Sequence, residues 1–124
     1  MKLFKVLLLL IVSLTAGCST PSKGEVLDYL SSDSNNRYLI HLFYEGSPGQ
    51  LDDELNVFWN SNKEYLEIIQ GIQLYDVDVE SNQDKAEAIG IENFPCFIVM
   101  NDEKIVLKTT ELSEVQAFFA QLIP

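Results

Sequence analysis

Positive charge is scarce in this sequence: eight lysines and arginines stand against 19 aspartates and glutamates in 124 residues, a formal net charge of −11. A surface of that sign repels phosphate backbones and anionic headgroups, so nucleic-acid binding is disfavoured and no nucleic-acid partner is expected. Histidine occurs once, at His41, and no spacing offers it the partners of a Ser-His-Asp triad, so a core histidine with its hydrogen bonds met is the expected role. Asp76, Asp78 and Glu80 alternate, but without a glycine-bearing ligand loop they read as a solvated strand end; no metal site and no cofactor are expected. No apolar run reaches the roughly 20 residues needed to cross a bilayer. No internal repeat is visible.

The apolar block Val6 to Val12 follows Lys2 and Lys5 and closes on Leu14-Thr15-Ala16-Gly17-Cys18. Too short to span a membrane, it reads as an export signal. Small Ala16 and Gly17 leave the backbone open to a peptidase, and the Cys18 thiol is a nucleophile on which a diacylglycerol can be built. The pentapeptide resembles the lipobox of bacterial lipoproteins, departing from it at Thr15, where leucine is usual. The resemblance implies a signal peptide over residues 1–17, a lipidated Cys18 carrying acyl chains such as palmitate, and a tether over 18–24. An ordinary cleaved signal or an uncleaved anchor is the other reading. From Cys18 onward six basic residues face 19 acids, or −13, and two acyl chains suffice to hold such a domain stably on a membrane. The expected place is the extracytoplasmic face of a bacterial cell membrane, and analogy with small acidic lipoproteins points to a Gram-positive one.

Residues 25–124 are enough for one domain with a modest core. Glu25 to Leu30 can form a short helix. Tyr38 to Tyr44 is almost wholly apolar, as befits a strand buried on both faces, and it stops at Gly46-Ser47-Pro48-Gly49. From Leu51 to Gln70 apolar residues recur at helical spacing behind Asp52, Asp53 and Glu54, which predicts one long amphipathic helix. Tyr75 to Val79 alternates as a second strand, and Gln83 to Ile89 forms a short helix ending at Gly90. Phe97 to Met100 and Lys104 to Lys108 flank Asn101-Asp102-Glu103 as a hairpin. The last helix carries Val115, Phe118, Phe119 and Leu122, with Ser113 and Gln116 placed to form a capping box.

Strands separated by helices, then a hairpin, then a helix imply an α/β fold, a central mixed sheet flanked by helices. In this order the chain resembles the thioredoxin family from about Glu25 to Leu122. The most specific piece is Gly90-Ile91-Glu92-Asn93-Phe94-Pro95-Cys96, similar to the family's segment before the first hairpin strand, and the resemblance implies a cis Pro95. Tyr75-Asp76-Val77-Asp78-Val79 likewise resembles a family strand end.

The departure is informative. Where the family carries Cys-x-x-Cys, this chain has Ser47-Pro48-Gly49-Gln50, with Ser47 and Gln50 at the two cysteine positions; a register placing Gly46 and Gly49 there also lacks thiols. Dithiol exchange needs one thiolate to attack and a second to resolve, and a serine hydroxyl stays protonated at neutral pH. The expectation is a redox-inactive thioredoxin-like domain of the cell envelope that binds a protein, a peptide or peptidoglycan. Ser47, Gln50, Phe94, Pro95 and Cys96 are its candidate surface, where an exposed apolar patch is expected. The rival reading is a single-cysteine thiol oxidoreductase or redox sensor using Cys96, whose alternative role is a compact buried hydrophobe.

Overall fold

The computed structural model describes residues 20–124. The expected signal peptide, Cys18 and Ser19 lie outside the described residues.

The chain opens with α1 (Lys23–Leu30), whose N-cap Ser22 accepts a hydrogen bond from the Glu25 amide at 3.2 Å. Lys23 and Gly24 therefore form its first turn. β1 (Tyr38–Tyr44) is buried at every interior position. After it come α2 (Gln50–Asn60), α3 (Lys63–Ile68) and β2 (Ile69–Asp76). α4 (Glu80–Ala88), β3 (Cys96–Met100), β4 (Ile105–Thr109) and α5 (Leu112–Ala120) complete the chain. The strands form one mixed sheet in the order β2-β1-β3-β4. β1 runs parallel to β2 and antiparallel to β3, and β3 and β4 form the antiparallel hairpin.

Side chains alternate across a strand, so β1 feeds two cores at once. Phe43 packs with Val26 and Leu30 of α1, Ala86 of α4, Tyr75, Cys96, Ile98 and Met100 on one face. Ile40 and Leu42 pack with Leu55 and Phe58 of α2, Tyr65 of α3, Val115 and Phe119 of α5, Phe97 and Val99 on the other. Helices thus cover both faces. That second core is rich in rings: Phe119 meets Tyr38 and Phe118 edge to face, with centroids 5.7 and 5.1 Å away.

Three local expectations are corrected. The long helix is two helices, because Ser61 and Asn62 divert the backbone: Ser61 Oγ donates to the Phe58 carbonyl at 2.6 Å, and Asn62 caps α3 by accepting from the Glu64 amide at 2.9 Å. The second strand runs from Ile69 to Asp76, starting earlier than expected and leaving Val77 to Val79 in the turn before α4, and Trp59 of α2 donates its indole N–H to the Ile69 carbonyl at 3.1 Å. The last helix starts at Leu112, with Glu111 at the N-cap and no side-chain cap, so Ser113 lies inside the helix and the capping box does not form. Among the described residues no helix is long and apolar enough to cross a membrane.

Candidate functional site

The site is built where β1 ends. Gly46 and Gly49 hold positive φ angles of 73° and 60°, a region that costs glycine little because it lacks a Cβ. Between them Ser47 turns tightly, its amide donating to the Glu45 carbonyl at 2.8 Å. The Ser47 hydroxyl accepts from the Gly49 amide at 3.2 Å, and the Leu51 amide donates to the Pro48 carbonyl at 3.2 Å. The turn hands the chain directly into α2. Across from it the Phe94–Pro95 peptide bond is cis, just before β3 begins.

Tyr44, Glu45, Ser47, Pro48, Leu51, Phe94 and Pro95 line a cavity of about 180 Å³. Ser47, Phe94 and Pro95 are thus brought together. Gln50 stands exposed as the first residue of α2 and is not among the lining residues. Cys96 belongs to the core under α1 and α4, with 2% of its surface exposed, and borders a separate hollow with Ile91, Lys108 and Thr109. Its sulfur lies 3.9 Å from the Phe97 carbonyl. Burial pushes the Cys96 thiol pKa up, and the nearby Lys108 ammonium only partly opposes this. The strongly exposed large apolar side chains, Tyr29 and Val57 foremost, lie elsewhere, while Tyr44, Phe94 and Pro95 are half-buried.

The sequence reading missed Tyr44, Glu45, Pro48 and Leu51 as lining residues. The available signal was the chain reversal itself: a strand end and a helix start separated by a five-residue turn must face the same space.

His41 is fully buried in β1 and does not approach Ser47 as a base. Its Nε2 donates to the Leu30 carbonyl at 2.7 Å, and its Nδ1 lies 3.0 Å from the Tyr75 hydroxyl. Burial pulls the imidazole from its ordinary value of 6.5 down to about 4, against a smaller upward pull from the Leu30 carbonyl. It is neutral at physiological pH, as a core residue has to be.

The fold is thioredoxin-like. Solved structures similar to this chain include Chlamydomonas reinhardtii thioredoxin f2, at 16% identity over 84% of this chain and 94% of that one, with a TM-score of 0.59. A thioredoxin of Malassezia sympodialis (Mala s 13) is 19% identical over 71% of this chain and 76% of its own, with a TM-score of 0.52. Fasciola hepatica thioredoxin is 15% identical over 77% and 86%, also at 0.52. No protein-family model matches the sequence, and no curated protein matches it.

Proposed function

We propose that this chain is a lipid-anchored thioredoxin-like domain of the bacterial cell envelope that performs no dithiol exchange and binds an extended segment of an envelope protein. The observation that carries this reading is the cavity between Ser47-Pro48 and Phe94-Pro95: its lining contains apolar rings, the hydroxyls of Tyr44 and Ser47 and one carboxylate, and no sulfur. At about 180 Å³ it falls below the roughly 300 Å³ at which small-molecule sites begin. It suits one apolar side chain of a longer ligand. Glu45 at its edge favours a donor group or a cation beside that side chain, and the acidic surface of the whole domain draws basic segments towards it.

The test joins three readouts. Selection of displayed peptides against residues 19–124, followed by NMR mapping, is expected to shift the amides of Tyr44, Ser47, Phe94 and Cys96. Shifts confined to other surfaces, or a preference for isolated glycan strands over peptides, overturn the proposed ligand. Reduction of insulin by dithiothreitol is expected to proceed at the uncatalysed rate, and acceleration restores the single-cysteine reading. In cells fed an alkynyl fatty acid, label is expected on the full chain and lost in Cys18→Ala. Retention of label sinks the anchor.

A further inference from the structure

β2 is an edge strand: β1 pairs along one side, and among the described residues nothing pairs along the other. Edge strands present unpaired backbone groups, and proteins usually blunt them with lysine, proline or a covering element. The opposite edge follows that rule, since β4 contains Lys108 and is preceded by Lys104. β2 does not. Its sequence Ile69-Gln70-Gly71-Ile72-Gln73-Leu74-Tyr75-Asp76 holds a single charge, at the end.

The open part of this edge is short and defined. The Val77 amide donates to the Tyr44 carbonyl at 2.9 Å, so odd-numbered residues of β2 aim their backbone groups at β1 and even-numbered ones aim outward. At the start, Gln70 sits in a bulge and the Ile69 carbonyl is taken by Trp59. At the finish, the Asp76 carbonyl accepts from the Val79 amide at 3.1 Å and from Asn82 Nδ2 at 3.0 Å. Ile72 and Leu74 remain, each with an outward N–H and C=O that no described residue meets.

We infer that β2 pairs antiparallel with β2 of a second copy of this chain, about a two-fold axis through Gln73. In an antiparallel ladder, residues that exchange both hydrogen bonds alternate with residues that exchange none. An axis at Gln73 sets Ile72 against the partner's Leu74 and Leu74 against its Ile72, so every open backbone group of both strands is met. An axis at Ile72 would call on the bulged Gln70, and one at Leu74 would call on the occupied Asp76 carbonyl. The same register places Asp76 opposite Gln70 of the other copy, so no carboxylate in the strand opposes a carboxylate. Beside Gln70, whose Oε1 accepts from the Asp33 amide at 2.8 Å, Asp33 is already paired with Arg37 at 2.6 Å. The result is a continuous sheet built from the four strands of each copy. Both exposed Gln73 side chains meet on the axis on one face of the sheet, and Ile72–Leu74 pairs meet on the other. So short a seam places the dimer among weak, transient interfaces.

The experiment uses residues 19–124, which hold every described element and both cores. Gln73→Cys puts a thiol on the axis at a non-hydrogen-bonded pair, where opposing Cα atoms lie about 4.5 Å apart. Copper–phenanthroline is expected to link it at least about tenfold faster than Leu74→Cys, whose partner is Ile72; the fold-change is set by that proximity. Sedimentation equilibrium up to about 1 mM protein is expected to show a dimer, the concentration matching a weak interface. Association should fall at least about tenfold in Gln73→Lys, which opposes two cations on the axis. Leu74→Pro, which removes an outward N–H, should weaken it likewise. A monomer at every concentration, equal cross-linking at both positions, or a dimer indifferent to Gln73→Lys in a variant with unchanged circular dichroism overturns the inference.

Discussion

The Tyr75 hydroxyl stands between two acceptors, Nδ1 of buried His41 and Oε1 of Gln73. The Leu30 carbonyl can only accept, so the neutral His41 ring carries its hydrogen on Nε2 and leaves Nδ1 as an acceptor facing the Tyr75 hydroxyl, 3.0 Å away. The Tyr75 hydroxyl also donates to Oε1 of exposed Gln73 at 2.6 Å. With a neutral ring the phenolic proton has two acceptors, His41 Nδ1 and Gln73 Oε1; a charged ring would donate at both nitrogens and leave that proton to Gln73. Three residues thus form a polar line from the core to the surface whose direction depends on one protonation.

Stability should depend on that protonation. His41 has a folded value of about 4 against 6.5 unfolded, so the unfolded chain binds the proton first. Its contribution is therefore complete above pH 6.5 and is lost as pH falls towards 4. Between pH 7.5 and 5 the loss is about 2 kcal/mol. Urea unfolding of the native chain and of His41→Asn at both pH values checks this: the variant starts lower but should lack that increment. Parallel pH dependence in the two proteins would sink it.

Removing the phenolic oxygen isolates the histidine. Tyr75→Phe keeps the ring stacked on Phe43, at 4.6 Å between centroids, but leaves His41 Nδ1 without a donor. The expected cost is about 1–3 kcal/mol, read as a lowered urea midpoint at unchanged m-value. The phenol itself should not titrate in the folded protein, because burial and the neighbouring Tyr29 push its pKa above the ordinary range. Ultraviolet titration to the limit of folding tests that point.

The Cys96 thiol should react with N-ethylmaleimide only as fast as the domain opens. Burial and the raised pKa act together here, the first blocking the reagent and the second removing thiolate. Labelling is expected to accelerate steeply across the urea transition. Fast labelling of the native protein at neutral pH would contradict a packing role. Cys96→Ser should cost about 1–3 kcal/mol by burying a poorly partnered hydroxyl.

Two glycines should respond to the same added methyl with opposite signs. A Cβ at Gly24 or at Gly49 meets nothing within 4 Å, so backbone preference alone decides. Gly24→Ala, within α1, is expected to stabilise by up to about 1 kcal/mol. Gly49→Ala, at a φ of 60°, is expected to destabilise by about 1–3 kcal/mol. Thermal unfolding of both variants reads the difference directly.

Much of this architecture was legible in the sequence because burial writes itself into periodicity. Tyr38 to Tyr44 declared a strand covered on both faces, and the order of elements declared a mixed sheet with helices on each side. What escaped was decided by hydrogen bonds rather than by apolar spacing. Ser61 and Asn62 break a helical pattern that runs on undisturbed from Phe58 to Tyr65, and Leu112 begins a helix one residue before the serine suited to cap it. At the candidate site Ser47, Phe94 and Pro95 were readable, whereas the company of Tyr44, Pro48 and Leu51 depended on how the chain folds back. Cys96 follows Pro95 directly in sequence, yet the pleat that places Ile98 and Met100 under α1 carries its side chain there as well.

The indole bond between Trp59 and the Ile69 carbonyl gives the domain an optical gauge of its own. This chain has one tryptophan, and it is fastened to the first residue of β2. Its emission registers whether α2 stays fastened to the start of β2 and packed on the ring-rich core. Loosening of that junction can therefore be followed by light in the native chain, without a label and without altering a residue.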